Sequence, residues 1–303
     1  GEATAQFESG PDFGRWRDFA LVDASKSGGT GVLGGAHSAI ATNWIGYGVN
    51  RMITPFAELG AESIHYRTAT GLNINDAVWE LGVVLTPNVD SQISIGYGHH
   101  QGFNAADVRG YYQVTQRTRV SVSYSTTLAS DIQLIQSQLG LTNFDQFGNA
   151  VNADTGAPLF LGNGLLSTQN ALFRSRVLSL SGTTVLDRDI ISVSVQNQDQ
   201  TPVGSAPGAA PGVATQGTSF SASWNHQISD RTTLAVGGTY SRTTFQTAGS
   251  VNERFLSASA GASYLLTETL STVARYSFFD RSSNFAGRSF TDNLFLVGLT
   301  KRF

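Results

Sequence analysis

An all-β fold is predicted by the sequence, and within that class a transmembrane antiparallel up-and-down β-barrel. Apolar and polar residues alternate along many segments, the polar faces carry Ser, Thr, Gly, Asn and Gln, and short connections take turns with long ones. Charged residues are 14% of the 303 residues, against about 25% in ordinary soluble proteins. A soluble β-sandwich also alternates, but it would carry charges on its exposed face.

The strands follow from the alternation, which is cleanest at 118–128, where Val120, Val122 and Tyr124 alternate with polar residues. The segment 13–24 alternates least well. We predict about fourteen strands, with about twelve or sixteen as alternatives. They cover 13–24, 35–49, 56–66, 76–85, 91–100, 107–115, 118–128, 173–185, 189–198, 218–228, 231–245, 252–265, 270–280 and 289–303.

Turn residues place short connections at one end of these strands and longer connections at the other. The short ones are 50–55, 86–90, 115–118, 186–189, 229–231 and 267–269, and the long ones are 25–34, 67–75, 101–106, 129–171, 199–217, 247–251 and 281–288. Outer membrane barrels have short periplasmic turns and longer extracellular loops, so we expect both chain ends in the periplasm. An even strand number also lets the first and last strands pair antiparallel and leaves no edge in lipid.

We expect one barrel domain over 1–303, with a long extracellular insertion at about 129–171. Helical periodicity at Asp131–Leu141 predicts a short helix capped by Ser130 or Asp131, with an apolar stripe of Ile132, Leu134, Ile135 and Leu139. This insertion either constricts the lumen or stands above the membrane as a lid or partner contact. We favour the outer position, because an apolar stripe would meet a polar wall inside.

The last strand carries an apolar face that ends in an aromatic residue. Phe295, Val297, Leu299 and Phe303 share this face, and the sequence stops at Phe303. A terminal aromatic on an amphipathic strand resembles the signal read by the barrel-assembly machinery of Gram-negative bacteria. The pattern predicts localisation in the outer membrane of such a bacterium, with outer membrane lipids and this machinery as partners.

Several short stretches carry a family resemblance, from about Asn43 to the end of the chain. They are Trp79-Glu80-Leu81-Gly82, Thr86-Pro87-Asn88, Ile95 to His100, Val120 to Ser125, Tyr276, Arg281 to Asn284, Asn293 and Gly298 to Phe303. In these stretches the chain resembles the outer membrane β-barrel family associated with the PEP-CTERM/exosortase system. The genes of that family accompany exopolysaccharide loci, so the resemblance implies a link to exopolysaccharide export and to other envelope or polysaccharide-secretion proteins as partners.

Six charged residues on polar strand faces are the candidate lumen site. Glu58, Glu62 and Glu80 lie on the third and fourth predicted strands, and Arg109, Arg119 and Arg275 lie on later ones. Acidic and basic walls that face each other would set a transverse field across a pore. The alternative is charge pairing that only stiffens the barrel. The remaining Ser, Gly and Thr lining predicts a narrow water channel for about fourteen strands.

Other function classes find little support in the sequence. His99 and His100 are adjacent, so they point to opposite sides of a strand and cannot easily hold one metal ion. No catalytic constellation and no basic run for nucleic acid is recognisable, and we expect no enzyme activity and no cofactor. Two functions remain open: a porin-like barrel that passes small solutes or polymer through a polar lumen, and a structural or partner-docking barrel.

Overall fold

The computed structural model describes residues 1–9, 13–68, 71–153, 156–159, 169–247 and 249–301. Among these residues the main sheet has fifteen strands, and each is hydrogen-bonded to the next strand of this sheet along the chain, with the insertion between the eighth and the ninth. The described residues contain no helix long and apolar enough to cross a membrane. The strands are β1 (Glu2–Glu8), β2 (Trp16–Lys26), β3 (His37–Tyr47), β4 (Ile53–Tyr66), β5 (Leu72–Asn88), β6 (Ser91–His100), β7 (Phe103–Thr115), β8 (Thr118–Ser130), β11 (Ala171–Val185), β12 (Asp189–Ser205), β13 (Thr215–Ser229), β14 (Thr232–Phe245), β15 (Val251–Leu265), β16 (Leu270–Ser283) and β17 (Phe290–Lys301).

The insertion contains the remaining elements, and a short helix lies before β3. The insertion forms α1 (Asp131–Gly140) and a small hairpin of β9 (Thr142–Phe144) and β10 (Ala150–Asn152), and the 3₁₀ helix spans Gly31–Leu33. Ser130 caps α1 as predicted: its hydroxyl accepts from the backbone N–H of Gln133 at 3.3 Å, and the Gln133 side chain accepts from the backbone N–H of Ser130 at 3.0 Å. This capping box satisfies backbone donors that the first helical turn leaves free.

Alternation sorts the main sheet into two faces, which we call the inner and the outer face. On β12 the outer-face residues Val193 and Val195 are 42% and 40% exposed, whereas the inner-face residue Ser192 is 2% exposed. The apolar residues therefore lie on the exposed side and the small polar residues on the enclosed side. A soluble sandwich would bury its apolar face, so the faces have the polarity of a membrane barrel.

Contacts from the insertion show that the sheet curls around it. The Ser194 hydroxyl on β12 donates to the Pro158 carbonyl at 2.7 Å, and Arg275 on β16 donates to the Phe147 carbonyl. Four strand spacings separate β12 from β16, which is about 19 Å along a flat sheet. One short segment reaches both strands on the inner face, so the sheet is barrel-like, with the insertion inside it.

The predicted all-β, antiparallel up-and-down fold is confirmed, and the main difference lies at the N-terminus. The sheet has fifteen strands instead of about fourteen, because β1 precedes the first predicted strand and pairs with β2. Glu2 lies opposite Ser25 at the long-connection end, whereas Lys301 lies opposite Leu270 at the short-connection end. The expectation that both chain ends lie at the same end of the sheet is therefore wrong. Within the described residues no ladder joins β1 to β17.

The insertion also departs from the expected outer position. The hairpin tip and the segment after it enter the barrel, as the contacts of Phe147 and Pro158 show, while Ile132 and Leu139 of α1 stay 51% and 50% exposed. The apolar helical stripe does not have to dock on the polar wall for the insertion to enter the barrel. Docking instead uses the hairpin tip and the segment after the hairpin, where the Phe147 and Pro158 carbonyls accept hydrogen bonds from that wall.

The predicted C-terminal face is present over most of its length. Phe295, Val297 and Leu299 are 69%, 65% and 69% exposed on the outer face of β17. Phe303 lies outside the described residues. The role of this face in assembly stays a prediction.

Candidate functional site on the inner face

A cavity of about 520 Å³ lies on the inner face where β3 to β8 meet. Four of the six candidate residues line it, namely Glu58, Glu80, Arg109 and Arg119. They are joined there by an acidic residue, Asp107, and by three aromatic side chains, those of Trp44, Phe56 and Tyr111. The cavity therefore combines both signs of charge with aromatic surface.

Two glutamates form the acidic part of this cavity. Glu58 on β4 stands directly opposite Glu80 on β5. Like charges in direct opposition destabilise a sheet. This pair therefore does not stabilise the sheet, and its effect is a negative electrostatic potential in the cavity. The Glu80 carboxylate extends over Gly96 on β6, where any side chain would collide with it. A glycine at this position therefore leaves the space that the carboxylate occupies.

Two arginines on β7 and β8 form the basic part. Arg109 pairs with Asp107, two residues earlier on the same face, with Nε 2.9 Å from Oδ1. Arg119 places its guanidinium carbon 3.8 Å from the centre of the Tyr111 ring, in a cation–π contact. Arg109 remains highly exposed despite its ion pair, which solvent weakens. Both guanidinium groups therefore present charge to the cavity.

The four candidate charges at the cavity do not form the opposite walls that one of the two sequence interpretations required. The acidic residues on β4 and β5 and the arginines on β7 and β8 lie side by side on one wall, separated by β6. The expected transverse field between opposite walls is therefore replaced by a charge gradient along one wall. Glu62 and Arg275 lie elsewhere: Glu62 is 4% exposed and stands opposite Asp76, nearer the long-connection end.

Arg275 holds the tip of the insertion hairpin, residues 145–149. Its Nη1 donates to the Phe147 carbonyl and to Asn149 Oδ1, the latter at 3.2 Å. The Phe147 side chain is 4% exposed and lies over Gly261 of β15, where an added Cβ would stand 3.2 Å from its ring. Arg275 is in the half of β16 nearer the short connections, so the tip reaches deep into the barrel.

The tip itself is a compact turn built around Asp145. Its Oδ1 accepts from the backbone N–H groups of Phe147 and Asn149 at 2.9 and 2.8 Å, and its Oδ2 accepts from the Asn149 amide at 2.9 Å. Gly148 adopts a φ of 77°, which a residue with a side chain adopts only with strain. The tip therefore presents Phe147 in a fixed orientation.

Polar contacts anchor the base of the insertion at the long-connection end. The buried Asp131 carboxylate accepts from the Gln169 backbone N–H at 2.8 Å and from the Gln200 amide on β12 at 3.2 Å. Burial raises the pKa of Asp131 above its ordinary value, and these two hydrogen bonds oppose that rise. The Asn170 side chain accepts from the Val32 backbone N–H at 3.0 Å. Both ends of the insertion are thus tied to the barrel.

The sequence pattern did not identify Asp107, the aromatic lining of the cavity or the contacts that hold the hairpin tip at Arg275 and Gly261. A signal for the turn was present in the chain, since Asp145 is followed by Gly148 and Asn149, which are common turn residues. The residues that contact Phe147 could not be predicted from nearby sequence. Gly261 and Arg275 lie more than a hundred residues away along the chain.

Comparison with known proteins supports the barrel. Residues 193–303 match the family model described as "Putative beta-barrel porin 2". No curated protein sequence matches the chain. The matched segment covers β13 to β17 and most of β12.

Solved outer membrane proteins show a weak similarity. OmpT of Vibrio cholerae is 9% identical with a TM-score of 0.43, covering 99% of this chain and 97% of that one. A bacterial polysaccharide outer membrane secretin is 13% identical with a TM-score of 0.42, covering 100% and 90%. OccK3 of Pseudomonas aeruginosa is 11% identical with a TM-score of 0.41, covering 100% and 80%. These values are too low to transfer a substrate or a partner.

The polarity of the two faces and the family-model match agree with each other. Apolar side chains cover the outer face, small polar ones cover the inner face, and the C-terminal third matches a barrel porin family. This chain is a β-barrel protein of the Gram-negative outer membrane, and its C-terminal part is similar to a family of barrel porins.

Proposed function

We propose that the protein is a diffusion channel for small polar solutes, which pass between the insertion hairpin and the charged wall of β4 to β8. One observation carries this proposal: the inner face holds an open, charged and aromatic cavity at a place that the hairpin does not fill. Charged rims and linings of this kind set the selectivity of pores. The acidic residues favour cations on one side of the cavity, and the arginines favour anions on the other.

The dimensions are compatible with a passage. A closed barrel of this strand number, with strands about 4.8 Å apart and tilted by about 40°, has a backbone diameter of roughly 30 Å. Side chains of about 5 Å on each side leave roughly 20 Å of clear width. A two-stranded hairpin with its side chains occupies about 10 Å of that width. The lumen is therefore narrowed by the hairpin and not filled by it.

The cavity lining supports a hydroxyl-rich solute as one class of cargo. Trp44 and Phe56 lie with ring centres 5.3 Å apart, beside the carboxylates of Glu58 and Glu80. Aromatic faces pack against apolar ring surfaces, while carboxylates and guanidinium groups accept from or donate to hydroxyl groups. A role in exopolysaccharide export extends this proposal, and its support is the sequence resemblance described above.

The test is solute passage through purified protein in lipid. Stepwise conductance in planar bilayers is expected, and liposomes containing the protein should swell with monosaccharides faster than protein-free liposomes. Substituting Trp44→Ala should reduce uptake of sugars while leaving uptake of a small ion nearly unchanged. Absence of both conductance and swelling, in protein that is correctly folded, would refute the channel.

A second candidate function is docking of partner proteins without transport. The position of the hairpin inside the lumen favours this function. A segment fixed inside the lumen by Arg275 and Phe147 is also what an occluded scaffold would contain. This alternative predicts no conductance from the wild-type protein and stable co-purification with other envelope proteins. The conductance measurement therefore separates the two functions.

A further inference from the structure

Two arginines stand directly opposite each other on the outer face. Arg242 on β14 pairs with Arg254 on β15 in the antiparallel register. Each lies two positions from an exposed apolar residue of the same face, Tyr240 on β14 and Leu256 on β15. Both arginines are exposed. Like charges placed directly opposite are unfavourable in a sheet, so this pair is stabilised when an anion lies between them.

The chain itself supplies no such anion among the residues that the structure describes. Neither arginine forms a salt bridge or a side-chain hydrogen bond there. Asp280 is diagonal to Arg254 across the ladder, and its carboxylate accepts from the Thr291 hydroxyl at 2.9 Å. The flanking residues in register are Thr218 on β13 and Ser282 on β16. The outer face thus presents a row of two guanidinium groups with a hydroxyl on either side.

The depth of this row matches the border of the apolar band. Arg242 is ten residues along β14 from Thr232 at the short-connection end. Ten residues of strand span about 33 Å, or roughly 25 Å along the barrel axis at a tilt of about 40°. The outward apolar band of membrane barrels is about 25 Å tall and is flanked by aromatic residues. Tyr240 is the last aromatic residue below Arg242, so the arginines lie at headgroup level.

We propose that Arg242 and Arg254 bind the phosphate group of a phosphorylated lipid at the membrane face of the long-connection end. Two guanidinium forks can each donate two hydrogen bonds to phosphate oxygens, and Thr218 and Ser282 can donate further ones. The occupant is a lipid headgroup because both side chains project from the membrane-facing wall, beside residues that contact acyl chains. This site goes beyond the proposed channel, which uses the inner face alone.

A third outer-face arginine, Arg176, provides a matched control. Arg176 on β11 lies two positions from the exposed residue Leu178, and its Nη1 is 3.9 Å from the Asp199 carboxylate on β12. Asp199 is opposite Gln216 on β13, which is two residues from Thr218, the residue opposite Arg242. Arg176 therefore has a similar position relative to the membrane, but the chain already provides its counter-charge. Its removal lowers the net charge as much as removal of Arg242 does.

The experiment measures retention of a defined lipid by the purified full-length chain. Detergent-solubilised protein is mixed with bisphosphorylated lipid A or with chemically dephosphorylated lipid A, and bound lipid is counted by native mass spectrometry. Wild type should retain the phosphorylated form at least about tenfold better than the dephosphorylated form. Arg242→Ala and Arg254→Ala should each weaken retention about tenfold, and Arg176→Ala less than about twofold. Combined Arg242→Lys and Arg254→Lys should retain more lipid than either alanine variant.

Three results would overturn the proposal. They are equal retention of the two lipid forms by wild type, an equal loss in Arg176→Ala, and full displacement of lipid by millimolar inorganic phosphate, which would indicate a free-anion site. The comparison of lipid forms needs no variant, so it holds even where a substitution impairs folding. Conductance of Arg242→Ala should equal that of wild type, and a failed lipid test would therefore leave the channel proposal untouched.

Discussion

Shortening the insertion hairpin is the sharpest test of how the lumen is narrowed. The change replaces residues 143–151 by a Gly-Ser-Gly linker, which removes the contacts of Phe147 and Asn149 with the barrel. The clear lumen estimated above has a cross-section of roughly 310 Å², and the hairpin with its side chains takes up roughly 100 Å² of it. Conductance scales with open area, so it should rise about 1.5-fold.

Single-channel recording in planar bilayers at high salt measures this change. The matched control replaces Pro207–Ala210, an exposed loop segment at the long-connection end, by a linker of the same kind and should leave conductance unchanged. An unchanged conductance after hairpin shortening would refute the inner position of the hairpin in the membrane. A rise of many-fold would instead show that the hairpin is a complete plug, which favours the docking function for the wild-type state.

Three further predictions concern point substitutions, one of them a combined pair. Gly261→Val should push the Phe147 ring away from the wall and raise conductance to the level of the shortened hairpin, whereas Ser259→Val on the same face should not. Combined Glu58→Gln and Glu80→Gln should shift the reversal potential in a salt gradient toward anion selectivity, and Arg119→Gln should shift it the opposite way; equal reversal potentials would show that this wall does not line the path. Because burial raises the pKa of Asp131, its contribution to stability is complete below the unfolded-state pKa and is lost as pH rises through the higher folded-state pKa. Asp131→Asn should therefore gain in urea midpoint over wild type as pH rises from about 3 to about 7, and a constant difference would contradict this.

Alternation gave most of the fold, because a membrane barrel imposes one rule on every strand. Lipid requires apolar residues on one face and the lumen accepts small polar residues on the other, so a period of two persists whatever the neighbours are. The same rule extends to β1, where Glu2, Thr4 and Gln6 alternate with Ala3 and Ala5. That signal covers all seven residues of β1, since Phe7 continues the apolar face and Glu8 the polar one, so the alternation was sufficient to predict this strand.

The inner site was less accessible to sequence reasoning, for a different physical reason. Which face a residue occupies depends on its own strand, but what it meets in the lumen depends on the curvature of the whole sheet. Arg275 was identified as an inward charge, yet its partner is the backbone carbonyl of Phe147 at the tip of the insertion, 128 residues earlier in the chain. Backbone carbonyls carry no sequence signature, so no pattern could have matched Arg275 with Phe147.

Strand parity determines how the two edges of this sheet can meet. Fifteen antiparallel neighbours leave β1 and β17 running in the same direction, so the antiparallel closure expected for an even number is not available to them. Unpaired backbone groups are costly in lipid, and we therefore predict that the two edges form a parallel ladder in the membrane. The chain has no cysteine, so engineered cysteine pairs report this contact without background.

The register of such cross-links distinguishes the two possible directions. A cysteine at Ala3 or Ala5 is paired in turn with cysteines at the outward positions Asn293, Phe295, Val297 and Leu299, and disulfide formation is scored in the native membrane. In a parallel ladder, moving the first cysteine from Ala3 to Ala5 moves the best partner two residues toward the C-terminus, because both strands advance together. A shift of the best partner toward the N-terminus would show an antiparallel contact and would contradict the fifteen-strand order. Absence of cross-links at every pair, with cysteines at Ala5 and Val22 as the positive control for neighbouring strands, would show that β1 and β17 do not meet.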